Sequence, residues 1–183
     1  MKRYTTTPPE ATDPIRIEQV FAEKPGGGLV EDPGYDVPET TAVYAKASGK
    51  FAVIKAYRLA AAVAKADTII KVAKGSGIAV GDVLAFGKKG VACTAIDSSK
   101  ADSDTVTVTM GVDIPAGSVL YQAKAASADA AVPVGTPVYV TGNALAGGMG
   151  EQPLRLINGA NLRKETACIG DDIAGQMKNI TLV

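Results

Sequence analysis

The sequence predicts an all-β protein, a small β-barrel or β-sandwich of short strands with an extended N-terminal arm. Segments rich in valine, isoleucine and threonine recur about every ten residues after Ala66, a rhythm typical of strands joined by turns. A glycine-containing turn pattern repeats in the same region. Prolines instead crowd the first 45 residues, where six of the ten lie. We therefore expect an arm over residues 1–45 and a β-rich head domain over residues 46–183.

The arm is rich in residues that interrupt helices and sheet ladders alike. Its one regular piece is the alternation of Ile15 and Ile17 with charged residues ahead of Phe21, which fits an edge strand laid on another surface. Six of the nine aromatic residues lie within the first 57 positions, and a segment that folds onto a partner uses aromatics as anchors. The competing interpretation is that the arm packs back on its own domain.

Two groups of residues are expected to make contacts with other chains. Apolar side chains of the arm would be buried in the grooves of a partner surface, and several copies per oligomer would multiply the attachment. These candidates are Ile15, Ile17, Phe21, Tyr35 and Tyr44. The second group is alanine-rich, and its small side chains would let copies of the chain approach closely. Its members are Ala60, Ala62 and Ala64.

The head domain is predicted to be a series of short strands. Residues 53–63 fit either a helix or a strand, and the alternation of Lys55, Tyr57 and Leu59 favours a strand. Further strands are predicted at 67–73, 82–86, 91–96, 104–110, 118–122, 136–141 and 154–157. A hairpin turn is expected at 87–90 and a polar loop at 97–102. One or two helical turns at 171–178 and a last strand at 180–183 complete the chain.

One turn pattern repeats within this domain. The segment IAVGDVL at 78–84 is echoed 36 residues later by IPAGSVL, and more loosely by VPVGTPV at 132–138. In each segment the glycine can adopt the positive φ of a type II turn before a polar residue and a new strand. Three copies at unequal spacing do not establish a solenoid. We interpret the pattern as a recurring corner of a small barrel or sandwich.

Composition excludes several classes of protein. The chain balances 19 basic against 19 acidic residues, so it lacks the basic field that binds nucleic acid. No apolar run suggests a signal peptide or a membrane span, so we expect synthesis in a cytoplasm and no membrane partner. The absence of histidine excludes histidine-based triads and histidine-ligated zinc. Cys93 and Cys168 are expected to be reduced structural thiols.

The remaining polar clusters do not predict catalysis. Asp97, Asp102 and Asp104 form the densest acidic cluster outside the arm, and such oxygens can bind calcium, but solvated turn acids are the ordinary interpretation. No serine or cysteine is accompanied by an identifiable base. We therefore expect no enzymatic activity, catalytic residue, metal or cofactor. The stretch 46–74 carries seven basic residues against Asp67 alone, which favours a basic face that receives acidic arms or an acidic neighbour.

Several motifs of the chain together resemble a known family. YRLAAAV at 57–63, DTIIKV at 67–72, AGSVL at 116–120 and ITLV at 180–183 are similar to segments of head fiber and capsid decoration proteins of tailed bacteriophages. The resemblance covers roughly residues 50–183 and consists of turn and strand residues. It implies a structural virion protein, a homotrimer whose all-β head is displayed on the capsid exterior by an N-terminal segment bound to the major capsid protein. The short chain favours a compact knob over a long fiber.

Two other functions compete with this hypothesis. A carbohydrate-binding or adhesin module, recognising a host-surface glycan, would need exposed Trp or Tyr platforms, and the chain has no Trp. A hydrolase using carboxylates alone would need a cleft with two carboxyl groups about 5 to 9 Å apart. The attachment hypothesis itself would fail if the opening segment were folded entirely into its own domain.

Overall fold

The computed structural model describes residues 15–183, and within them the protein is all-β, as predicted. One four-residue helix and fifteen short strands make up the regular structure. The elements are β1 (Ile17–Glu23), β2 (Gly28–Val30), β3 (Ala42–Ala45), β4 (Phe51–Val53), β5 (Ala56–Arg58), β6 (Ile69–Ala73), β7 (Val83–Phe86), β8 (Lys89–Ala92), β9 (Ala95–Asp97), β10 (Ser103–Thr107), β11 (Val119–Gln122), β12 (Pro137–Thr141), β13 (Gln152–Leu154), β14 (Leu156–Leu162), α1 (Asp171–Ala174) and β15 (Ile180–Leu182). No helix in this range is long and apolar enough to cross a membrane.

The largest sheet is assembled from both ends of the described chain. Its strand order is β1-β14-β12-β3-β4-β2-β13, and β15 runs parallel to β14. The outer strand β1 lies antiparallel to β14, with Ile17 opposite Leu162. We call residues 15–54 and 135–183 the sheet half of the molecule. Strands far apart in sequence are neighbours here because the intervening segment forms a separate unit.

The expected arm over residues 1–45 is not a separate element where the structure describes it. Residues 17–45 supply β1, β2 and β3 to the large sheet, and Val30 and Val43 are fully buried in its core. The prolines and glycines that predicted an arm lie in the connections between these strands, so their density reflects short strands and tight turns. The boundary expected at residue 45 therefore does not divide the fold. Residues 1–14 lie outside the described residues.

Residues 55–134, which we call the inserted half, form a curled, barrel-like unit. A four-stranded sheet has the order β5-β11-β7-β8, and a three-stranded sheet has the order β6-β10-β9. A bridge between Leu59 and Val72 joins their edges. Both sheets enclose one apolar core in which Tyr57, Leu84 and Leu120 are fully buried. The predicted small barrel corresponds to this half, whereas the large sheet stands outside it.

The inserted half has internal two-fold pseudosymmetry. β6 and β7 on one side correspond to β10 and β11 on the other, and the two units are the 36-residue repeat of the sequence. In the antiparallel pair β6 and β10, Ile70 lies opposite Val106. In the pair β7 and β11, Ala85 lies opposite Tyr121. Each of these residues thus faces its own counterpart 36 positions later, which is the arrangement that a local two-fold axis produces.

Two of the three predicted glycine turns are confirmed. Gly81 and Gly117 have φ values of 93° and 78°, and the residue after each donates a backbone hydrogen bond three positions back, as in a type II turn. Gly135 does not share this conformation. A Cβ at Gly135 would lie 2.2 Å from the ring of Tyr44, so a close packing contact accounts for this glycine.

Other predicted elements are present with altered limits. The strand expected at 91–96 is divided between β8 and β9, because the chain turns at Cys93 into the second sheet. The strand expected at 154–157 is the junction of β13 and β14. The helix expected at 171–178 is limited to α1, which lacks a side-chain N-cap at Gly170. Both cysteines are free thiols, as predicted.

Candidate attachment edge and interdomain cleft

The candidate contact residues of the opening segment are only partly available at the surface. Ile15 and Phe21 are 59% and 57% exposed, and both lie at or beside the outer strand β1. Ile17 is half-buried against the core shared by the two halves, as is Tyr44. Tyr35 is half-buried against the core of the large sheet. The structure therefore brings Ile15, Ile17 and Phe21 to one edge and uses the two tyrosines for internal packing.

β1 is held rigidly as an edge strand. Glu18 pairs with Arg163 and Glu23 pairs with Arg155 across the β1–β14 ladder, each at 2.5 Å. Its register against β14 shifts at three places, and such bulges discourage further strands from adding to an open edge. A partner would therefore contact the side chains of this edge rather than extend the sheet.

The three candidate interface alanines all point outward. Ala60, Ala62 and Ala64 are exposed, whereas Leu59 and Val63 between them are buried in the core of the inserted half. The alternation leaves a small-residue face between β5 and β6. Its role as an interface between copies stays a prediction.

A cleft of about 310 Å³ separates the two halves. Its apolar walls are formed by Tyr35, Val37 and Val119, among others. Its polar side chains come from both halves and from distant parts of the sequence. They are Arg16 before β1, Thr41 before β3, Arg58 at the end of β5, Lys74 and Ser76 after β6, and Glu165 after β14.

The positive charges of the cleft are compensated to different degrees. Lys74 pairs with Asp104 at 2.6 Å and also donates to the carbonyl of Ser98. Arg58 donates to the carbonyls of Gly117 and Ala167 but pairs with no carboxylate within residues 15–183. Burial lowers the pKa of the Arg58 guanidinium, and the charge of Arg16 acts in the same direction. Two guanidinium groups therefore lie near each other with their charges unpaired.

Two covered polar atoms of the cleft lack partners among the described residues. Arg16 Nε and Ser76 Oγ are shielded from solvent and make no hydrogen bond there. Buried donors without partners are costly, typically about 1 to 3 kcal/mol each. Both side chains belong to the cleft lining, so the unsatisfied donors are concentrated at one place.

The cleft also adjoins a strained backbone position. Thr40 has a φ of 66°, a conformation that β-branched residues rarely adopt. It is held there by hydrogen bonds: its hydroxyl donates to the carbonyl of Glu39 and accepts the backbone N–H of Cys168 at 2.9 Å. Burial raises the pKa of the Cys168 thiol, and the charges of Arg16 and Arg58 oppose that rise. The strain fixes Thr41 and Cys168 on the cleft wall.

A second polar cluster lies under the first glycine turn of the inserted half. Asp82 accepts hydrogen bonds from Lys55 at 2.8 Å, from Tyr57 at 3.0 Å and from the backbone of Ala79 at 2.9 Å. Burial and the charge of Asp82 raise the pKa of Tyr57. Lys55 also lies 5.9 Å from the ring centre of Tyr35. These contacts satisfy every member, so the cluster ties β5 and the turn to the sheet half.

The aspartates considered for calcium are engaged in ordinary structural roles. Asp97 accepts the backbone N–H of Ser99, which closes a turn. Asp104 is buried and pairs with Lys74. Within residues 15–183 no three metal-ligating side chains of the Cys, His, Asp and Glu types converge.

Comparison with protein-family models, with curated proteins and with solved structures finds no significant match. The phage family resemblance of the sequence therefore stays a prediction.

Sequence reasoning identified only part of this site. The basic stretch 46–74 contains Arg58 and Lys74, which do line the cleft. It missed Arg16, Ser76 and Glu165, because these lie in segments whose proximity depends on the pairing of β1 with β14. The one available signal was the clustering of positive charge in the central third of the chain.

Proposed function

We propose that the protein is a structural virion protein, a head fiber or decoration protein attached to the exterior of a tailed-phage capsid. The observation that carries the proposal is the edge formed by β1, where Ile15 and Phe21 are more than half exposed on a strand fixed by two ion pairs. Exposed large apolar side chains on a rigid edge are typical of contact surfaces. The family resemblance supplies the partner, the major capsid protein.

The attachment mechanism differs from that of a long flexible arm. Because residues 17–45 are strands of the large sheet, contact with the capsid would involve residues 1–14 together with the β1 edge. A fixed edge loses little conformational entropy on binding. The inserted half would point away from the capsid as a compact knob, and the exposed alanines at 60, 62 and 64 would lie between copies of a homotrimer.

The central experiment measures binding to capsid shells assembled from the major capsid protein of the same genome. The full chain, a chain beginning at residue 15 and the variant Phe21→Ser would each be co-sedimented with such shells. Val80→Ser is the matched control, since Val80 is 64% exposed but lies in the inserted half. Deleting residues 1–45 is unsuitable, because it would remove three strands of the sheet.

We expect the full chain to co-sediment and Phe21→Ser to bind about tenfold more weakly, because burying a Phe side chain contributes about 1.5 to 3 kcal/mol. The shortened chain should also bind more weakly, and Val80→Ser should bind like the unaltered protein. Absence of binding by the full chain would refute the capsid assignment. A monomer that binds glycans on an array would favour the adhesin instead.

The trimer is tested separately by light scattering. Ala62→Glu places a charge on the exposed alanine face and should shift the mass from three chains to one. Thr68→Glu, at a nearby exposed position, should leave the mass unchanged. A monomeric unaltered protein would refute the predicted trimer.

A further inference from the structure

We propose that the cleft between the two halves is a binding site for the carboxylate group of an acidic peptide segment. Arg16 and Arg58 would supply the charge and Ser76 a hydroxyl donor. The inference does not depend on attachment to a capsid. It locates the acidic partner that the basic stretch 46–74 predicts, at the one place where charges of that stretch meet an enclosed cavity.

Charge complementarity is the first argument for an anion. The cleft is lined by three cationic side chains and one carboxylate, that of Glu165. Asp104, just outside it, compensates Lys74. Glu165 is exposed and forms no ion pair within residues 15–183, and the guanidinium groups of Arg16 and Arg58 remain without a carboxylate partner. An anion entering the cleft would meet two positive charges in a partly desolvated place, where their attraction is stronger than in water.

The unpartnered donors are the second and independent argument. Arg16 Nε and Ser76 Oγ are covered yet make no hydrogen bond among the described residues. A small rotation of either side chain would direct these donors to a ligand in the cleft, so ligand binding would satisfy groups that the free protein leaves unsatisfied. The arginine fork suits a planar carboxylate, which it can bind through two parallel hydrogen bonds.

The walls of the cleft narrow the ligand to a peptide. Tyr35, Val37 and Val119 give the cavity a largely apolar lining, which a free inorganic anion would not fill. The volume of about 310 Å³ suits a few side chains. The cleft also continues on both sides, since neighbouring depressions share Arg58 and Glu165 at one end and Arg16 and Lys74 at the other. An acidic residue flanked by apolar ones on an extended chain matches this shape.

The test is isothermal titration calorimetry on the full chain with synthetic peptides. The first peptide is an acetylated and amidated hexapeptide with two aspartates between leucines. The second replaces the aspartates by asparagines, and a third combines asparagines with a free terminal carboxylate. Inorganic phosphate is the fourth ligand. The first and third peptides distinguish a side-chain carboxylate from a chain-terminal one.

We expect saturable one-to-one binding of at least one carboxylate peptide and none of the neutral peptide. Arg16→Gln and Ser76→Ala should each weaken that binding, the former by about tenfold. Arg155→Gln is the matched control, an exposed arginine outside the cleft, and should bind normally. Affinity should fall as the salt concentration rises, because screening weakens charge pairing.

Several results would overturn the proposal. These are equal binding of the neutral peptide, unchanged affinity in both cleft variants, or phosphate binding as tight as that of the carboxylate peptides. Should Arg16→Gln not fold, Ser76→Ala and the backbone amide chemical shifts of the unaltered protein decide. Peptide addition must then shift residues 73–76 and 165–168, and shifts confined to other regions would refute the site.

Discussion

The two halves of the molecule are built on different principles. In the inserted half, strands pair with counterparts within about 50 residues of sequence and enclose a core drawn from residues 57–120 alone. In the sheet half, β1 pairs with β14 across some 140 residues, with Ile17 opposite Leu162. Local patterns therefore specify the first half, whereas long-range pairing specifies the second. The cleft lies where the two meet.

The two copies of the repeat inside the inserted half offer a finer comparison. Their apolar positions match, since Leu84 and Leu120 are both fully buried. Their polar support does not match. Asp82 holds the first turn through three hydrogen bonds, whereas its counterpart Ser118 uses no side-chain hydrogen bond among the described residues. The fold thus keeps the core symmetric and lets the surface of the two copies diverge.

The largest effect is expected from the matched core positions. Leu84→Ala and Leu120→Ala should each lower the free energy of unfolding by about 3 to 5 kcal/mol, through lost burial and the cavity left behind. Urea unfolding followed by circular dichroism would measure both. Pseudosymmetry predicts nearly equal losses, and a difference above about 2 kcal/mol would contradict equivalence of the two cores.

The polar difference between the copies predicts a smaller, asymmetric effect. Asp82→Ala should destabilise the protein by about 3 kcal/mol, since it leaves Lys55 and Tyr57 without their half-buried partner. Ser118→Ala, the matched change in the other copy, should alter stability by less than about 0.5 kcal/mol. The same urea titrations give both values. Equal effects of the two substitutions would mean that the Asp82 cluster does not stabilise the fold.

The glycine turns should respond alike in the two copies. Gly81→Ala and Gly117→Ala face open space but require a positive φ, so each should cost about 1 to 2 kcal/mol. Gly135→Ala has an ordinary φ and would instead displace the Tyr44 ring. Thermal unfolding, together with the near-ultraviolet spectrum of the tyrosines, separates these cases. A spectral change in Gly81→Ala but not in Gly135→Ala would reverse the assignment.

The smallest effect concerns acid stability. Burial tends to raise the pKa of Asp104, but hydrogen bonds from Lys74 and Ser98 outweigh it, so the pKa is lower in the folded chain. The contribution of Asp104 is therefore present above the unfolded-state pKa of about 3.9 and is lost as pH falls through the folded value. Removing this pair should cost about 1 kcal/mol or less near neutral pH.

Thermal midpoints of the unaltered protein and of Asp104→Asn, measured from pH 6 down to about pH 2, test the prediction. The difference between the two should shrink as pH falls. Lys74→Gln should follow the same course, since it removes the partner. A difference that stays constant through this range would show that ionisation of Asp104 does not stabilise the fold.

How far the sequence predicted the structure follows the division between the halves. The valine- and threonine-rich segments and the turns at Gly81 and Gly117 were recognisable because spacing and glycine chemistry are local properties. β1 to β3 were assigned to an arm because Pro25, Pro33 and Pro38 interrupt the local pattern, although their partners lie more than 100 residues away. The cleft was beyond prediction for the same reason, since Arg16 and Ser76 meet only after both halves have folded.

The inserted half begins and finishes at a single point of the sheet half. Lys55 and Val134, its first and last residues, both bond to the backbone of Gln122, so the chain departs from and rejoins the large sheet at neighbouring positions. A gene segment bounded in this way can be exchanged for another by recombination without rearranging the strands beneath. Lineages carrying the same base could thus bear unrelated caps, provided that each cap covers the apolar patch now shielded by Tyr121 and Ala123.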